Sequence, residues 1–417
     1  AKYPDLPIHV HSHDTAGIAV ASMLACAEAG ADVIDAAIDS MSGLTSQPSM
    51  GAIVSSLEQM ELGTGISHDN IQRLNLYWSE VRQLYQCFEQ NVKASDSSVF
   101  DHEMPGGQYT NLMFQSQQLG LGSQWSEIKH AYMEANMLCG DIVKVTPSSK
   151  VVGDLAQFMV ANKLSARDVE EHASTLDFPV SVVEFFQGFL GTPPGGFPEP
   201  LRTHIIRNKE RVDTRRGASL PPLDFDKIKS DLTVKYRRPM SECDAVSWAM
   251  YPKVFEEFQA FIEEFGDLSR MPTRFFLGKP KAGEEMHIPI EDGKLLIVKL
   301  LGLGPFHEAT GMRDVLFELN SSPRSISVKD LSASVEEVHH EKATSEPGSV
   351  GSPLAGVVVE LKVKEGDAVK PGDAMFVMSA MKMETIVSAQ IAGKVTRVAV
   401  KQNDSLSQND LLCEITP

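Results

Sequence analysis

The spacing of apolar and polar positions changes repeatedly along the chain. Over residues 6–13 it alternates, which predicts a strand with His9, His11 and His13 on one face. An alanine-rich run at 16–29 follows Asp14-Thr15 and ends at Gly30, the pattern of a capped helix closed by a C′ glycine. Residues 31–38 predict a buried strand, and the three elements together predict a parallel βαβ unit. From about 68 to 235 the period is helical, clearest over 71–88, 127–138 and 154–161. Breaker clusters at 105–111, 119–123, 192–198 and 217–222 interrupt it as turns and loops. Ser165-Ala166-Arg167-Asp168 predicts a capping box. Beyond a helical stretch at 251–265 the period drops to two. Residues 284–301 predict a hairpin about Asp292-Gly293, with further strands at 314–320 and 325–328.

Residues 333–352 are polar and poor in large apolar groups, which predicts a flexible tether; about 15 such residues reach roughly 20 Å. His339 and His340 within it read as solvated. Valine-rich strands at 357–363 and 395–400 then belong to an internal repeat, 355–373 laid on 392–410 at an offset of 37. Gly366-Asp367 matches Asn403-Asp404, and Gly372-Asp373 matches Asn409-Asp410. Gly and Asn are the residues that tolerate positive φ, so the repeat predicts a two-fold β-sandwich. Between the copies lies Ala380-Met381-Lys382-Met383-Glu384-Thr385, a lysine flanked by methionines at a predicted hairpin tip. A plain solvated turn has little reason to place apolar side chains on both sides of a charge.

At 417 residues and 42% hydrophobic content, the chain is long enough for about three domains with real cores. A net charge of −18 argues against nucleic acid or an anionic membrane as partner. Five cysteines without CxxC spacing predict free, mostly buried thiols rather than a disulfide framework or zinc site. No run of about 18 apolar residues is present, and nothing at the start resembles a targeting peptide. The first residue is Ala, so the expectation is a fragment or a processed chain.

Three histidines alternating at the C-terminal end of a strand suit a metal site, because that end gathers the chemistry of parallel α/β folds. The hydroxyl-rich loop at 39–49 reads as a helix cap. Thr146, ahead of Pro147, reads equally as the N-cap of a helix with Pro147 at N1.

The motif Ala-Met-Lys-Met on a repeat-built sandwich resembles the biotinyl carrier domain of biotin-dependent carboxylases. Lipoyl domains share the sandwich but typically flank their lysine with Asp and Ala. His-Ser-His-Asp-Thr-Ala-Gly, Ser-Met-Ser-Gly-Leu-Thr-Ser-Gln-Pro-Ser, Gly-Gly-Gln-Tyr-Thr-Asn and Val-Thr-Pro-Ser-Ser-Lys resemble, in order, the carboxyltransferase domain of the pyruvate carboxylase family. The resemblance implies five regions. Residues 1–67 would be the last βα units of a (β/α)8 barrel, 68–240 its helical extension, 241–332 an α+β allostery and tetramerisation domain, 333–350 a flexible linker, and 351–417 the all-β carrier. It implies biotin as an amide on Lys382, and a divalent metal, Mn or Zn, on His11 and His13, with no ligand role for His9. The remaining ligands, an aspartate and a carboxylated lysine, would come from earlier barrel strands.

Further roles follow from the same resemblance. Thr146 would shuttle a proton between biotin and pyruvate, a task that suits a hydroxyl because it gives and accepts a proton without net charge change. Ser123 and Lys150 would receive the biotin ring, and Gln108 would sit in a loop near that pocket. Pyruvate and oxaloacetate, a biotin protein ligase and, for the full-length protein, a homotetramer and an acyl-CoA activator are the implied partners. ATP and Mg would act at a biotin carboxylase site outside this chain. The location would be the mitochondrial matrix in a eukaryote and the cytoplasm otherwise. Two other readings share these features: an oxaloacetate decarboxylase alpha subunit or transcarboxylase, and an inactive carrier and oligomerisation fragment.

Overall fold

The computed structural model describes residues 5–60, 62–90, 92–278, 280–307, 311–330, 340–344, 346–380 and 383–417. They fall into two compact units, Ala1–Ala218 with His339–Pro417, and Ser219–Val338.

In the first unit, β1 (His9–Val10) pairs in parallel with β2 (Val33–Ile34), and α1 (Ala19–Glu28) crosses between them. The expected βαβ unit forms with shorter elements than the sequence pattern suggests, and β2 is not the buried strand expected, since Val33 is 46% exposed. Asp14 to Gly17 makes a turn, with Gly17 at φ +77°, and Asp14 Oδ1 accepts the Ala19 N–H at 2.8 Å, so α1 starts three residues late. Gly30 closes α1 at φ +96°, as its sequence position predicts. Then come α2 (Met50–Gln59), whose cap Ser49 accepts the Ala52 N–H at 3.1 Å, and α3 (His68–Leu84). The hydroxyl-rich loop thus supplies the helix cap expected of it.

Helices α4 (Val99–His102), α5 (Gly106–Gln118), α6 (Trp125–Leu138), α7 (Ser148–Ala161), α8 (Ala166–His172), α9 (Val180–Gln187) and α10 (Leu201–Ile206) build the largest core. Helix α7 runs through its middle and is buried without a break from Val151 to Met159. A helix apolar on all sides belongs in an interior, and its polar members are partnered. Gln157 donates to Leu112 O at 3.3 Å and Ser116 Oγ at 3.0 Å, which sets α7 alongside α5. The capping box at Ser165 and Asp168 forms as predicted.

Two local expectations fail here. Residues 105–111 are not a loop but the first turns of α5, so Gln108 is helical. Thr146 does not cap α7, because Ser148 closes the turn instead. The Ser148 hydroxyl donates to Val143 O at 2.6 Å and accepts the Val145 N–H at 3.2 Å, leaving the Thr146 side chain exposed. The thiols also differ from expectation: Cys139 and Cys413 are buried, Cys26 is half-buried, and Cys87 and Cys243 are exposed.

The second unit holds α11 (Phe225–Tyr236), α12 (Glu242–Met250), α13 (Pro252–Phe265) and α14 (Arg274–Leu277). Its antiparallel sheet has the order β3 (Glu285–Glu291), β4 (Lys294–His307), β5 (Met312–Leu319), β6 (Ser322–Lys329). Gly293 turns β3 into β4 at φ +77°, the hairpin read from Asp292-Gly293.

The C-terminal sandwich returns to the first unit with β7 (Ser349–Gly351), β8 (Gly356–Leu361), β9 (Ala368–Val369), β10 (Ala374–Ala380), β11 (Met383–Ser388), β12 (Gly393–Val398), β13 (Ser405–Leu406) and β14 (Leu411–Thr416). One sheet has the order β11-β10-β8-β13 and the other β7-β14-β12-β9. Each strand maps onto its counterpart in the other sheet along the repeat seen in the sequence. The turns map too. Asp367, Asp373, Asp404 and Asp410 each accept the backbone N–H three residues earlier, at 2.7–2.9 Å. The preceding Gly366, Gly372, Asn403 and Asn409 all take positive φ. The side chains between the sheets, Val358, Met375, Phe376, Met378, Val395 and Leu412 among them, are fully buried.

Part of the stretch read as tether is built into this sandwich. Leu411 N–H donates to Glu341 O at 2.7 Å, Ala343 N–H to Asn409 O at 2.8 Å, and Lys342 pairs with Asp410 at 2.8 Å. The reason lies in the symmetry: β11 needs a counterpart beside β14, and the segment before Gly351 supplies it as β7. Residues 331–339, where most of the tether was expected, and Ser345 lie outside the described residues, and so does His339.

Candidate functional site

The histidine face is tied down from behind. Asp35, immediately after β2, accepts from His9 Nε2 and His11 Nδ1, both at 2.7 Å. These two hydrogen bonds hold its carboxyl below the usual carboxylate range. His13 Nδ1 lies 2.7 Å from Thr45 O, and the His11 and His13 rings meet edge to face with centroids 5.3 Å apart. With each Nδ1 bonded to an oxygen, the free lone pair is on Nε2. A carboxylate or carbonyl holding one ring nitrogen while the other is offered to a metal is the usual way histidine ligands are oriented. His11 and His13 therefore fit a divalent ion in donor type and tautomer, while His9 spends its Nε2 on Asp35. Among the described residues no group of three or more His, Cys, Asp and Glu stands together as a ligand set. Asp35 was missed from sequence, although a carboxylate one step past a parallel strand, at the level of the histidines, is a legible signal.

The glycine loop reaches this face. A Cβ on Gly106, the first residue of α5, would lie 2.5 Å from His13 Nδ1 and against the Thr45 carbonyl. Two residues on, Gln108 packs against Gly153 of α7, where a Cβ would lie 2.6 Å from its Nε2. One helical turn before Gly153, Lys150 reaches back to Asp154, with Nζ 2.5 Å from Oδ2. Asp154 is 2% exposed and also accepts from Ser181 Oγ at 2.5 Å. Burial pushes its carboxyl above the ordinary value, with Lys150 and Ser181 pulling the other way. Asp154 thus fixes the Lys150 ammonium at the head of α7, and a Lys-x-x-x-Asp spacing in an otherwise apolar helix was the available clue.

His13, Gly106, Gln108, Gly153 and Lys150 therefore form one continuous path, and Thr146 lies four residues before Lys150 with its hydroxyl exposed. Ser123 does not join them. It lies beyond the far end of α5 in a turn ahead of α6, exposed, and about 15 Å of helix separates Gln108 from the end of α5.

A second carboxylate locks the frame. Asp96 accepts from Lys129 Nζ at 2.8 Å, Tyr109 Oη at 3.0 Å and Ser98 Oγ at 2.6 Å, while its own N–H donates to Thr15 O at 2.8 Å. Partial burial raises its carboxyl, but the Lys129 and Ser98 hydrogen bonds outweigh that and hold it far below the usual range. Asp96 so ties the segment after the histidines to α5 and α6.

On the sandwich, β10 and β11 pair down to Ala380 opposite Met383. Met381 and Lys382 link those two strands in sequence, and Lys382 itself lies outside the described residues. The sandwich is seated on the helical region. Thr385 forms an antiparallel bridge with Pro179, Ser388 N–H donates to Asp177 Oδ2 at 3.1 Å, and Gln408 Nε2 donates to Ala161 O at 2.7 Å.

Residues 99–299 match a family model described as a conserved carboxylase domain, and residues 348–415 match one described as a biotin-requiring enzyme. Over 416 residues the chain is 54% identical to a pyruvate carboxylase of Aspergillus terreus, spanning 100% of this chain and 35% of that protein. It is 48% identical over 417 residues to a mitochondrial pyruvate carboxylase of Mus musculus, again spanning 35% of that protein. Among solved structures, the carboxyl transferase domain of Rhizobium etli pyruvate carboxylase superposes with a TM-score of 0.73 at 42% identity, over 79% of this chain and 56% of that one. The complete Rhizobium etli enzyme gives 0.71 at 39% identity, over 99% of this chain and 38% of that one. The chain thus spans about a third of the length of its curated relatives, and across that third it belongs to the pyruvate carboxylase family.

Proposed function

We propose that this chain supplies the biotin carrier and part of the carboxyltransferase site of an enzyme that carboxylates pyruvate to oxaloacetate. One observation carries the reading: a sandwich matching biotin-requiring enzymes, whose β10 and β11 are joined in sequence by Met381-Lys382, sits on the helical region that holds Lys150. In this proposal Lys382 carries biotin through an amide, and biotin when attached supplies the transferable carboxyl group. His11 and His13 hold a divalent ion, manganese or zinc, which supplies a Lewis acid for the pyruvate carbonyl. The βαβ piece then belongs to a (β/α)8 barrel whose other strands lie in the longer protein. The second unit takes the allosteric and tetramerisation role.

The chain's own residues have separable tasks. Asp35 and Thr45 set the tautomers of His11 and His13. Asp154 orients Lys150 toward the incoming ring, with Gln108 beside it. Thr146, exposed next to that lysine, gives and takes the proton that passes between pyruvate and the carrier. ATP and Mg are used at a biotin carboxylase site outside these residues, a biotin protein ligase modifies Lys382, an acyl-CoA activates, and a eukaryotic version works in the mitochondrial matrix.

The test is Thr146→Ala in the full-length polypeptide. Loss of a positioned proton donor and acceptor predicts a fall in oxaloacetate formation of about 10²–10⁴-fold with Lys382 still biotinylated, and Thr146→Ser retains most of the rate. Unchanged turnover in Thr146→Ala would remove the proposed role.

A further inference from the structure

The segment that carries Thr146 has no helix or strand of its own. Residues 141–147 join α6 to α7, and their side chains alternate in exposure. Ile142 is 6% exposed and packs in the helical core, while Val143 and Val145 stand out at 72% and 61%. At one end Asp141, at φ +52°, accepts from Asn136 Nδ2 at 2.9 Å, and at the other Ser148 bonds back to Val143 and Val145. Between these ends Lys144 turns inward. Its side chain is 10% exposed, and its ammonium donates to Glu103 Oε2 at 2.6 Å.

Glu103 has an uncommon backbone. It ends α4 in the left-handed region, at φ +51° and ψ +29°, a conformation rare outside Gly, Asn, Asp and His. Such a residue persists where its surroundings fix it from several sides, and residues of this kind gather at functional sites. Here the surroundings can be named. The Glu103 N–H donates to Val99 O at 2.7 Å, and the next N–H, of Met104, donates to His102 Nδ1 at 3.0 Å. His102 is 2% exposed and Met104 1%, so the turn is set inside the fold. Three residues after Glu103 comes Gly106, which lies against His13.

The Glu103–Lys144 pair thus joins the turn that leads to His13 with the segment that carries Thr146, across 41 positions of sequence. Magnitudes decide what the pair is for. The Lys144 hydrogen bond holds the Glu103 carboxyl below its ordinary value, but Glu103 is 64% exposed, and an ion pair open to water adds little to global stability. A displacement of about 1 Å at a reacting group, by contrast, can lower a rate by about 10²-fold. A contact of small stabilising effect, two residues from Thr146, therefore matters through position.

We propose that Glu103 is a positioning residue, which through Lys144 fixes the 141–147 segment so that the Thr146 hydroxyl stays in register with the His13 side of the site. The catalytic consequence rests on the reading of Thr146 as the proton shuttle, while the hold on the segment does not.

The test is Glu103→Gln in the full-length polypeptide, which keeps the shape of the side chain and removes its charge. Lys144→Met is the second variant and breaks the same contact from the other side. In both, kcat for oxaloacetate formation is expected to fall about 5- to 10²-fold, the lower figure from a weak exposed pair and the upper from a 1 Å displacement. KM for pyruvate, the biotin mass on Lys382 and the urea midpoint stay as in wild type. Amide hydrogen exchange over 141–147 rises about 5-fold or more, while the middle of α7 keeps its protection. Added to Thr146→Ala, Glu103→Gln lowers kcat no further, because residues that act as a unit are not additive. Unchanged exchange over 141–147 would overturn the proposal whatever the turnover. Losses that add to those of Thr146→Ala, or wild-type turnover in Glu103→Gln where Thr146→Ala is impaired, would overturn the positioning role. Faster exchange together with wild-type turnover in Thr146→Ala would support the hold on the segment and refute the shuttle reading alone.

Discussion

The approach of α5 to the histidine face makes Gly106→Ala a discriminating perturbation. A Cβ there would fall 2.5 Å from His13 Nδ1 and closer still to the Thr45 carbonyl, about 1 Å short of ordinary contact. The oxygen belongs to a backbone that cannot swing away, so either α5 moves or the bond from His13 to Thr45 O breaks. Overpacking of this kind costs about 1–3 kcal/mol, and at most about 1 kcal/mol returns from the helix preference of Ala over Gly. The expected net loss is about 1–2 kcal/mol. Gly153→Ala is the matched control. Its Cβ would meet Gln108 Nε2 at 2.6 Å and Leu112 Cδ1 at 3.1 Å, both ends of side chains that can turn away. That variant keeps wild-type stability or gains slightly. Urea unfolding gives the stability, and long-range proton–nitrogen NMR on histidine-labelled protein gives the tautomer. Wild type and Gly153→Ala should show His13 protonated on Nδ1, and Gly106→Ala should lose that signature. Equal stability and an unchanged tautomer in Gly106→Ala would refute the claimed coupling of the two segments.

Other consequences follow from the carboxylates. Asp96→Asn removes the charged partner of Lys129 and should destabilise by about 1–3 kcal/mol at pH 7. The Asp96 carboxyl is lowered in the fold, so its contribution is complete above the unfolded value near 4 and disappears as pH falls through the folded one; the variant should show a flatter acid limb in urea midpoints. Lys150→Met strands the buried Asp154. Breaking a buried pair costs about 3–5 kcal/mol, but Lys150 is 41% exposed, so about 1–3 kcal/mol is expected. Adding Asp154→Asn should restore most of it. Asp154 is raised in the fold, so its effect has the opposite sign: stability is complete below about 4 and falls as pH rises through the folded value, more steeply in Lys150→Met than in the double variant.

Much of this was legible in sequence because it is local. Helices α3, α6 and α13 lie within a few residues of where periodicity puts them, Ser165 and Asp168 cap as their spacing says, and the repeat of Gly-Asp on Asn-Asp recurs as four equivalent turns. What escaped depends on partners far along the chain. Thr146 loses its capping role because Ser148 bonds backward to Val143 and Val145, a competition that propensity does not rank. Gln108 becomes helical because α5 starts at Gly106, where close approach to His13 excludes a side chain. Asp35, Asp96 and Asp177 each take a partner far along the chain, 24, 33 and 211 positions away. The tether shortens because the sandwich's symmetry recruits residues from 341 onward, a demand made by the far end of the chain.

Lys382 is the residue on which the carrier role of the sandwich depends. After co-expression with a biotin protein ligase, intact-mass and peptide mass spectrometry of this chain should show one biotin per chain, located on the peptide containing Ala380-Met381-Lys382-Met383, and none in Lys382→Arg. Absence of the added mass, or its appearance on another lysine, would contradict the assignment of this domain as the carrier.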